Sequence, residues 1–215
     1  MKVIGVNTGH DGGCVLLEDG KVKVAISEER ITRKKTAHGW LSSLFYCLDT
    51  SNSTLKDIDL VVFSSYGKRL PKNFDGGLSK FNFPKEKCIS VDHHLSHASS
   101  AFLVSPYNKS LIFVYDSSGN DSDTESFYIG EGNKIEKIGG NPLKDPFKGI
   151  VRAYEAFTCY FGWNSDEAGK TMGLASYGNK KRFEKYPIYS QTKDGWYYNN
   201  LEGFYAEGVE NLLKK

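Results

Sequence analysis

The 215 residues predict an α/β fold built on a mixed sheet. Three features point there. The chain opens with three short strands joined by tight turns. Two later apolar runs are of the kind buried in parallel sheets, and helical spacing of apolar residues follows the strands. A chain of this length buries roughly 70 to 75% of the surface exposed by its unfolded form, enough for one large domain or two small ones.

Val3-Ile4-Gly5-Val6-Asn7-Thr8 is a short apolar run and the first predicted strand. Gly12 and Gly13 interrupt it, and 14–18 resumes as the second. Asp19-Gly20 is a type I′ hairpin signal, which needs positive φ at both central residues. Residues 21–27 then alternate polar and apolar as a half-buried third strand, completing a three-strand antiparallel meander. A basic run, Arg30 to Lys35, precedes a helical stretch from Trp40 to about Leu48. Ile58 to Ser65 reads as a buried strand, and 66–86 as a long loop punctuated by Gly, Lys and Pro. Cys88–Val91 is a strand that runs straight into a helical pattern from His93 to Phe102. Leu111–Asp116 is a strand ending in an acid, and 126–129 with 135–138 form a hairpin. Residues 150–162 and 167–177 predict two helices, the second loosened by Gly169 and Gly173. From 187 onward the chain is aromatic and polar with weak periodicity, and Trp196-Tyr197-Tyr198 reads as packing between elements rather than as a sugar platform. No internal repeat or low-complexity tract is legible. Actin-like ATPases and sugar kinases open with such a meander, which by itself fixes no function.

Lys+Arg 28 against Asp+Glu 26 gives a net charge of +2, too balanced for an electrostatic footprint for nucleic acid or an acidic membrane. Mean hydropathy is -0.46 and no apolar run approaches the ~18 residues of a bilayer span. The four cysteines, Cys14, Cys47, Cys88 and Cys159, contain no CxxC pair and read as reduced thiols of a cytoplasmic protein.

The strongest local signal is His93-x-x-x-His97. At i, i+4 on a helix the two imidazoles share a face, the spacing at which two nitrogen ligands reach one metal ion. The pair follows a strand end, where α/β folds place ligands, and Asp116 ends the next long strand. Two imidazoles and a carboxylate suit a divalent transition metal such as Fe, Zn or Mn, with coordination positions open. His94 points elsewhere, to solvent or to a supporting role. Gly9-His10-Asp11-Gly12-Gly13 is a tight turn whose backbone N–H groups can approach an anion, with His10 as base or phosphate contact. Arg30 to Lys35, with Glu28 and Glu29 before it, reads by default as a solvated charge run and otherwise as an anion clamp. In Glu167 to Ala175, Gly169-Lys170-Thr171 evokes a phosphate loop, but that motif needs Gly at 164, where Asn164 stands. Gly169 and Gly173 read instead as points of close backbone approach.

The ordered blocks GHDGG, EERITRKK, VDHHLSHASSAFLVSP, VYDSSGN and GKTMGLASYG, over residues 1 to about 178, resemble the N-terminal region of the carbamoyltransferase family of nodulation (NodU-type) and antibiotic O-carbamoyltransferases. The resemblance implies an actin-like ATPase (ribonuclease H-like) fold. It implies a reaction in which carbamoyl phosphate and ATP give carbamoyl-adenylate, whose carbamoyl group passes to a hydroxyl of a sugar or natural product. Carried over, it implies His93, His97 and Asp116 as ligands of a divalent metal, iron first. His10 is implied as a carbamoyl-adenylate contact and base, Lys35 with Arg33 and Lys34 as phosphate contacts, and Lys170 and Gly173 as part of the nucleotide-side wall. Asn7 departs from the Asp common in actin-like kinases. Because family members are longer, residues 1–215 are expected to form the first lobe only, without a second lobe or the adenylate-forming domain. A second polypeptide carrying the missing lobe is an expected partner, and little turnover by this chain alone is expected. The alternatives are a non-catalytic metal- or ligand-binding remnant and an actin-fold enzyme of the tRNA threonylcarbamoyladenosine type.

Overall fold

The computed structural model describes residues 1–65, 78–117, 119, 123–140, 149–179, 181, 189–192, 195–198 and 209–210. They divide into two compact units, Met1–His97 and Ala98–Lys215.

The first unit opens with β1 (Lys2–Asn7), β2 (Gly13–Glu18) and β3 (Lys21–Ser27). Asp19 and Gly20 adopt φ of 49° and 77°, the two positive values of the expected hairpin turn. A short helix, α1 (Glu28–Thr32), follows at once and ends on Arg33 in the left-handed region, so the basic run begins as helix rather than as open chain. Next come α2 (Leu41–Thr50), β4 (Leu60–Ser65) and β5 (Cys88–Asp92). The strand order is β3-β2-β1-β4-β5. β1 is antiparallel to β2 and parallel to β4, and β4 is parallel to β5. This mixed sheet with an antiparallel opening is the α/β class expected. In the stretch expected to be one long loop, Leu78–Phe81 and Lys85–Lys87 form 3-10 turns, and 66–77 lie outside the described residues.

α2 covers the sheet. Its Leu44, Cys47 and Leu48 pack with Ile4, Val6, Cys14 and Leu16 in one buried cluster that also holds Phe63, edge-on to Trp40 at 5.6 Å. Each such aliphatic side chain contributes about 2 kcal/mol on burial. The helix is held at its start by Glu28, 5% exposed at the end of the meander. Its carboxylate accepts the Ser43 N–H at 2.8 Å, the Ser43 hydroxyl at 2.6 Å and the Ser42 N–H at 3.3 Å. These are N–H groups of the first turn, which have no partner within the helix, and the carboxylate also meets the positive end of the helix dipole. Burial alone raises the Glu28 carboxyl pKa. The bonds from Ser43 and Ser42 together outweigh that and hold it below the ordinary glutamate range.

The division between units falls inside α3 (His93–Phe102), which is continuous. The second unit then has β6 (Lys109–Tyr115), β7 (Glu125–Glu131) and β8 (Lys134–Gly140) in an antiparallel sheet of order β6-β7-β8. Phe102 fills the place a side chain on Gly130 would take, a Cβ there standing 2.6 Å from the ring. α4 (Ile150–Tyr160) and α5 (Ala168–Ala175) follow, both within the spans predicted. Thr158 and Thr171 join these helices through a buried hydroxyl–hydroxyl bond of 2.7 Å. Beyond residue 187 the weak periodicity hid an antiparallel ladder of β9 (Tyr189–Thr192) and β10 (Gly195–Tyr198). The side chains of Trp196, Tyr197 and Tyr198 lie outside the described residues.

Replacing Glu28 by Gln removes charge-assisted bonds while keeping the shape, and is expected to lower unfolding free energy by about 2 kcal/mol in urea titrations at pH 7. The folded-state carboxyl pKa is depressed, so its stabilisation is present above the unfolded value of ~4.3 and is lost as pH falls through the folded one. The gap between wild type and Glu28→Gln is therefore expected to close below about pH 4, read from the same titrations repeated in acid.

Candidate metal centre

In the first sheet β1, β3, β4 and β5 all run in one direction. Their carboxyl ends therefore line one edge, where α/β folds hold ligands. That edge carries the β1–β2 loop with His10, α1 with Arg33, Lys34 and Lys35 just beyond it, and the start of α3 with His93. Strands stand ~4.8 Å apart, so β1 and β5, separated by β4, lie about 10 Å from each other.

Asp92 sets the start of α3. Its Oδ1 accepts the Leu95 N–H at 2.9 Å and its carbonyl accepts the Ser96 hydroxyl at 2.9 Å. With the helix starting at residue 93, His93 and His97 fall one turn apart on one face. Their Nε2 atoms are 3.2 Å apart, with ring planes at 86°. His93 is half-buried and His97 exposed, whereas His94 is buried, against the solvent alternative for its side chain. Asp116 directly follows β6. Its N–H donates to the Thr124 carbonyl at 2.8 Å, and its Oδ1 accepts the Ser117 N–H at 2.6 Å. His93 and His97 belong to the first unit and Asp116 to the second.

The donor set fits a divalent transition metal. Two nitrogens each ~2.1 Å from one ion stand ~3.0 Å apart at a right angle and ~3.4 Å at the tetrahedral angle, which brackets the imidazole separation. Two imidazoles and one carboxylate leave coordination positions open for a reactant, the pattern of a catalytic rather than a closed structural site.

The β1–β2 loop is shaped by Asn7. Its Nδ2 donates to the His10 and Asp11 carbonyls, both at 3.2 Å, and its Oδ1 accepts the Gly9 N–H at 3.3 Å. A carboxylate has no donor for those carbonyls, which is a structural reason for Asn where actin-like kinases carry Asp. Gly12 closes the loop: its N–H donates to Ala37, its carbonyl accepts from Glu28, and a Cβ there would overlap the Gly39 carbonyl oxygen. The exposed His10 ring makes a 2.8 Å contact from Nδ1 to Asp11. Arg33, Lys34 and Lys35 are all exposed.

Lys170 and Gly173 lie on α5 of the second unit. Lys170 pairs with Glu167 and stands 5.9 Å over the Trp163 ring. Among the described residues, a Cβ on Gly169 or Gly173 would meet nothing within 4 Å, so no close backbone approach is found at these glycines there. Asp92 and Glu28 were missed as positioning residues. Asp92 was findable as an Asp directly before a helical pattern. Glu28 carried no local signal, because its partners are 14 and 15 residues away.

The family model described as Carbamoyltransferase N-terminus matches residues 2–76 and 75–215. The chain belongs to this family. Nodulation protein NolNO of Sinorhizobium fredii is 31% identical over 194 residues, covering 79% of this chain and 28% of that protein. An uncharacterized protein of Synechocystis sp. is 28% identical over 249 residues, covering 96% of this chain and 40% of its own length. The chain thus matches well under half the length of these relatives. Among solved structures, YeaZ from Pseudomonas aeruginosa aligns at a TM-score of 0.40 and 13% identity, over 65% of this chain and 66% of that one. No helix among the described residues is long and apolar enough to cross a membrane.

Asp92→Ala is expected to cost about 1 kcal/mol, the worth of an N-cap, and to broaden the imidazole NMR signals of His93 and His97 as the first turn of α3 frays. Gly12→Ala is expected to cost about 1 to 3 kcal/mol, because backbone at Gly39 must move, with unfolding followed by tryptophan fluorescence.

Proposed function

We propose that this chain carries the metal-holding part of a carbamoyl-transfer site. His93, His97 and Asp116 hold a divalent metal, Fe2+ first with Zn2+ or Mn2+ as substitutes. The reaction draws on carbamoyl phosphate and ATP, through carbamoyl-adenylate, and delivers the carbamoyl group to a hydroxyl of a sugar or natural product. The observation that carries this reading is the imidazole pair 3.2 Å apart at the start of α3, in a chain of the carbamoyltransferase family.

When bound, the metal supplies a positive centre that polarises the carbamoyl oxygen. The chain's own residues do the rest. Asp116 contributes the one negative ligand, and its carboxylate accepts the Ser117 N–H. His10 takes the proton of the acceptor hydroxyl: with Nδ1 engaged by Asp11, its Nε2 is the free basic atom. Arg33, Lys34 and Lys35, exposed at the same edge of the sheet, attract and hold phosphate oxygens. Lys170 contributes a cation to the nucleotide side after release from Glu167, and Gly173 offers a face without a side chain.

Anaerobically purified wild type is expected to hold near-stoichiometric iron or zinc, and His93→Ala to hold at least tenfold less, by elemental analysis with circular dichroism showing both folded. Equal metal in the two proteins, or none in either, overturns the assignment.

A further inference from the structure

A helix that covers a sheet turns its apolar stripe inward and carries polar residues on its outer side. α2 departs from that pattern. Leu44, Cys47 and Leu48 enter the core, yet Phe45 and Tyr46 on the outer side are 43% and 46% exposed. The 3-10 turn Leu78–Phe81 departs in the same way. Leu78 and Phe83 are buried in the core cluster, and Phe81 between them is 45% exposed. The Phe83 N–H donates to the Leu78 carbonyl at 3.2 Å, which fixes the turn. Phe45 and Phe81 meet edge-on at 5.2 Å. With Leu48 and Leu55 they line an open groove of about 800 Å3. An aromatic corner built by two separate segments and left to solvent is the kind of apolar patch that marks an interaction surface.

The groove lies wholly in the first unit. The Lys2 ammonium donates to the Ser53 hydroxyl at 2.8 Å, so the end of α2 sits at the start of β1. His10 and His93 instead follow the carboxyl ends of β1 and β5, at the opposite edge of the sheet. The groove is therefore distinct from the candidate metal centre.

Its charges say what covers it. Asp49 and Lys56 line the same groove, both are exposed, and among the described residues neither forms an ion pair. A two-fold interface sets one patch against its own copy, so every contact occurs twice and the patch must carry its own complement. This groove does so, with aromatic rings to meet aromatic rings and one charge of each sign. A patch of a single sign would select a different partner. The net charge of +2 offers little repulsion between copies.

We propose that this groove is the two-fold interface of a homodimer of the chain. Phe45, Tyr46 and Phe81 of the two copies pack together at its centre, and Asp49 of each copy pairs with the partner subunit's Lys56. Buried aromatic residues with charges at the rim are the usual composition of such a surface. The inference goes beyond the proposed function and does not rest on any metal.

The test is the oligomeric state of the 215-residue chain by light scattering and sedimentation. The mass is expected to rise from 24.1 kDa to twice that value as concentration passes through the micromolar range. Phe45→Asp and Lys56→Asp are each expected to weaken the dimer at least tenfold. Adding Asp49→Lys to Lys56→Asp is expected to restore it to within about threefold of wild type, because the exchanged charges again oppose across the axis. Val22→Asp, at an exposed position on β3 outside the groove, is expected to leave it unchanged. Slow exchange of β1 amides in every variant verifies folding. A chain that stays monomeric at about 100 μM overturns the proposal and leaves the groove to a different polypeptide. A dimer indifferent to Phe45→Asp, or one that the charge exchange does not restore, also overturns it. None of these readouts depends on metal content, so this proposal and the metal assignment fail separately.

Discussion

The buried carboxylate of Glu28 is the constraint on which the first unit depends. It ends the meander and at the same time caps α2, the helix that covers the meander's apolar face. Strand direction, helix start and core burial are thereby coupled through one side chain. A buried carboxylate is costly unless its oxygens are satisfied, and here two backbone N–H groups and a hydroxyl satisfy them. The Glu28 N–H also holds the Gly12 carbonyl, so the same residue locks the loop that presents His10.

The ligand-bearing edge follows from that framework. Three strands parallel to β1 bring their carboxyl ends to one side of the sheet. Asp92 turns the last of them into α3 and so decides which residues begin the helix. A start one residue later would leave His93 outside the helix, where the i, i+4 spacing no longer sets its side chain beside that of His97. The chemistry proposed for His93, His97 and Asp116 is thus downstream of a cap and a strand order.

Much of this was legible along the chain. The meander with its Asp-Gly turn, the strand into His93–Phe102 and the acid after β6 all depend on neighbours a few residues apart, and these appear where expected. The five ordered blocks also pointed to the family to which the chain belongs. α1 was hidden because five residues are too few to show helical periodicity. The β9–β10 ladder was hidden because its strands are only four residues long.

The sequence by itself determined the fold class, the order of the elements and the spacing that puts His93 and His97 on one face, because these rest on local periodicity and turn chemistry. Only the tertiary structure decided that Glu28 is a buried cap rather than part of a solvated charge run. It also decided that Asn7 is required by two carbonyls of its own loop. The reason is physical: burial and hydrogen-bond satisfaction are set by groups distant along the chain, and no local window contains them.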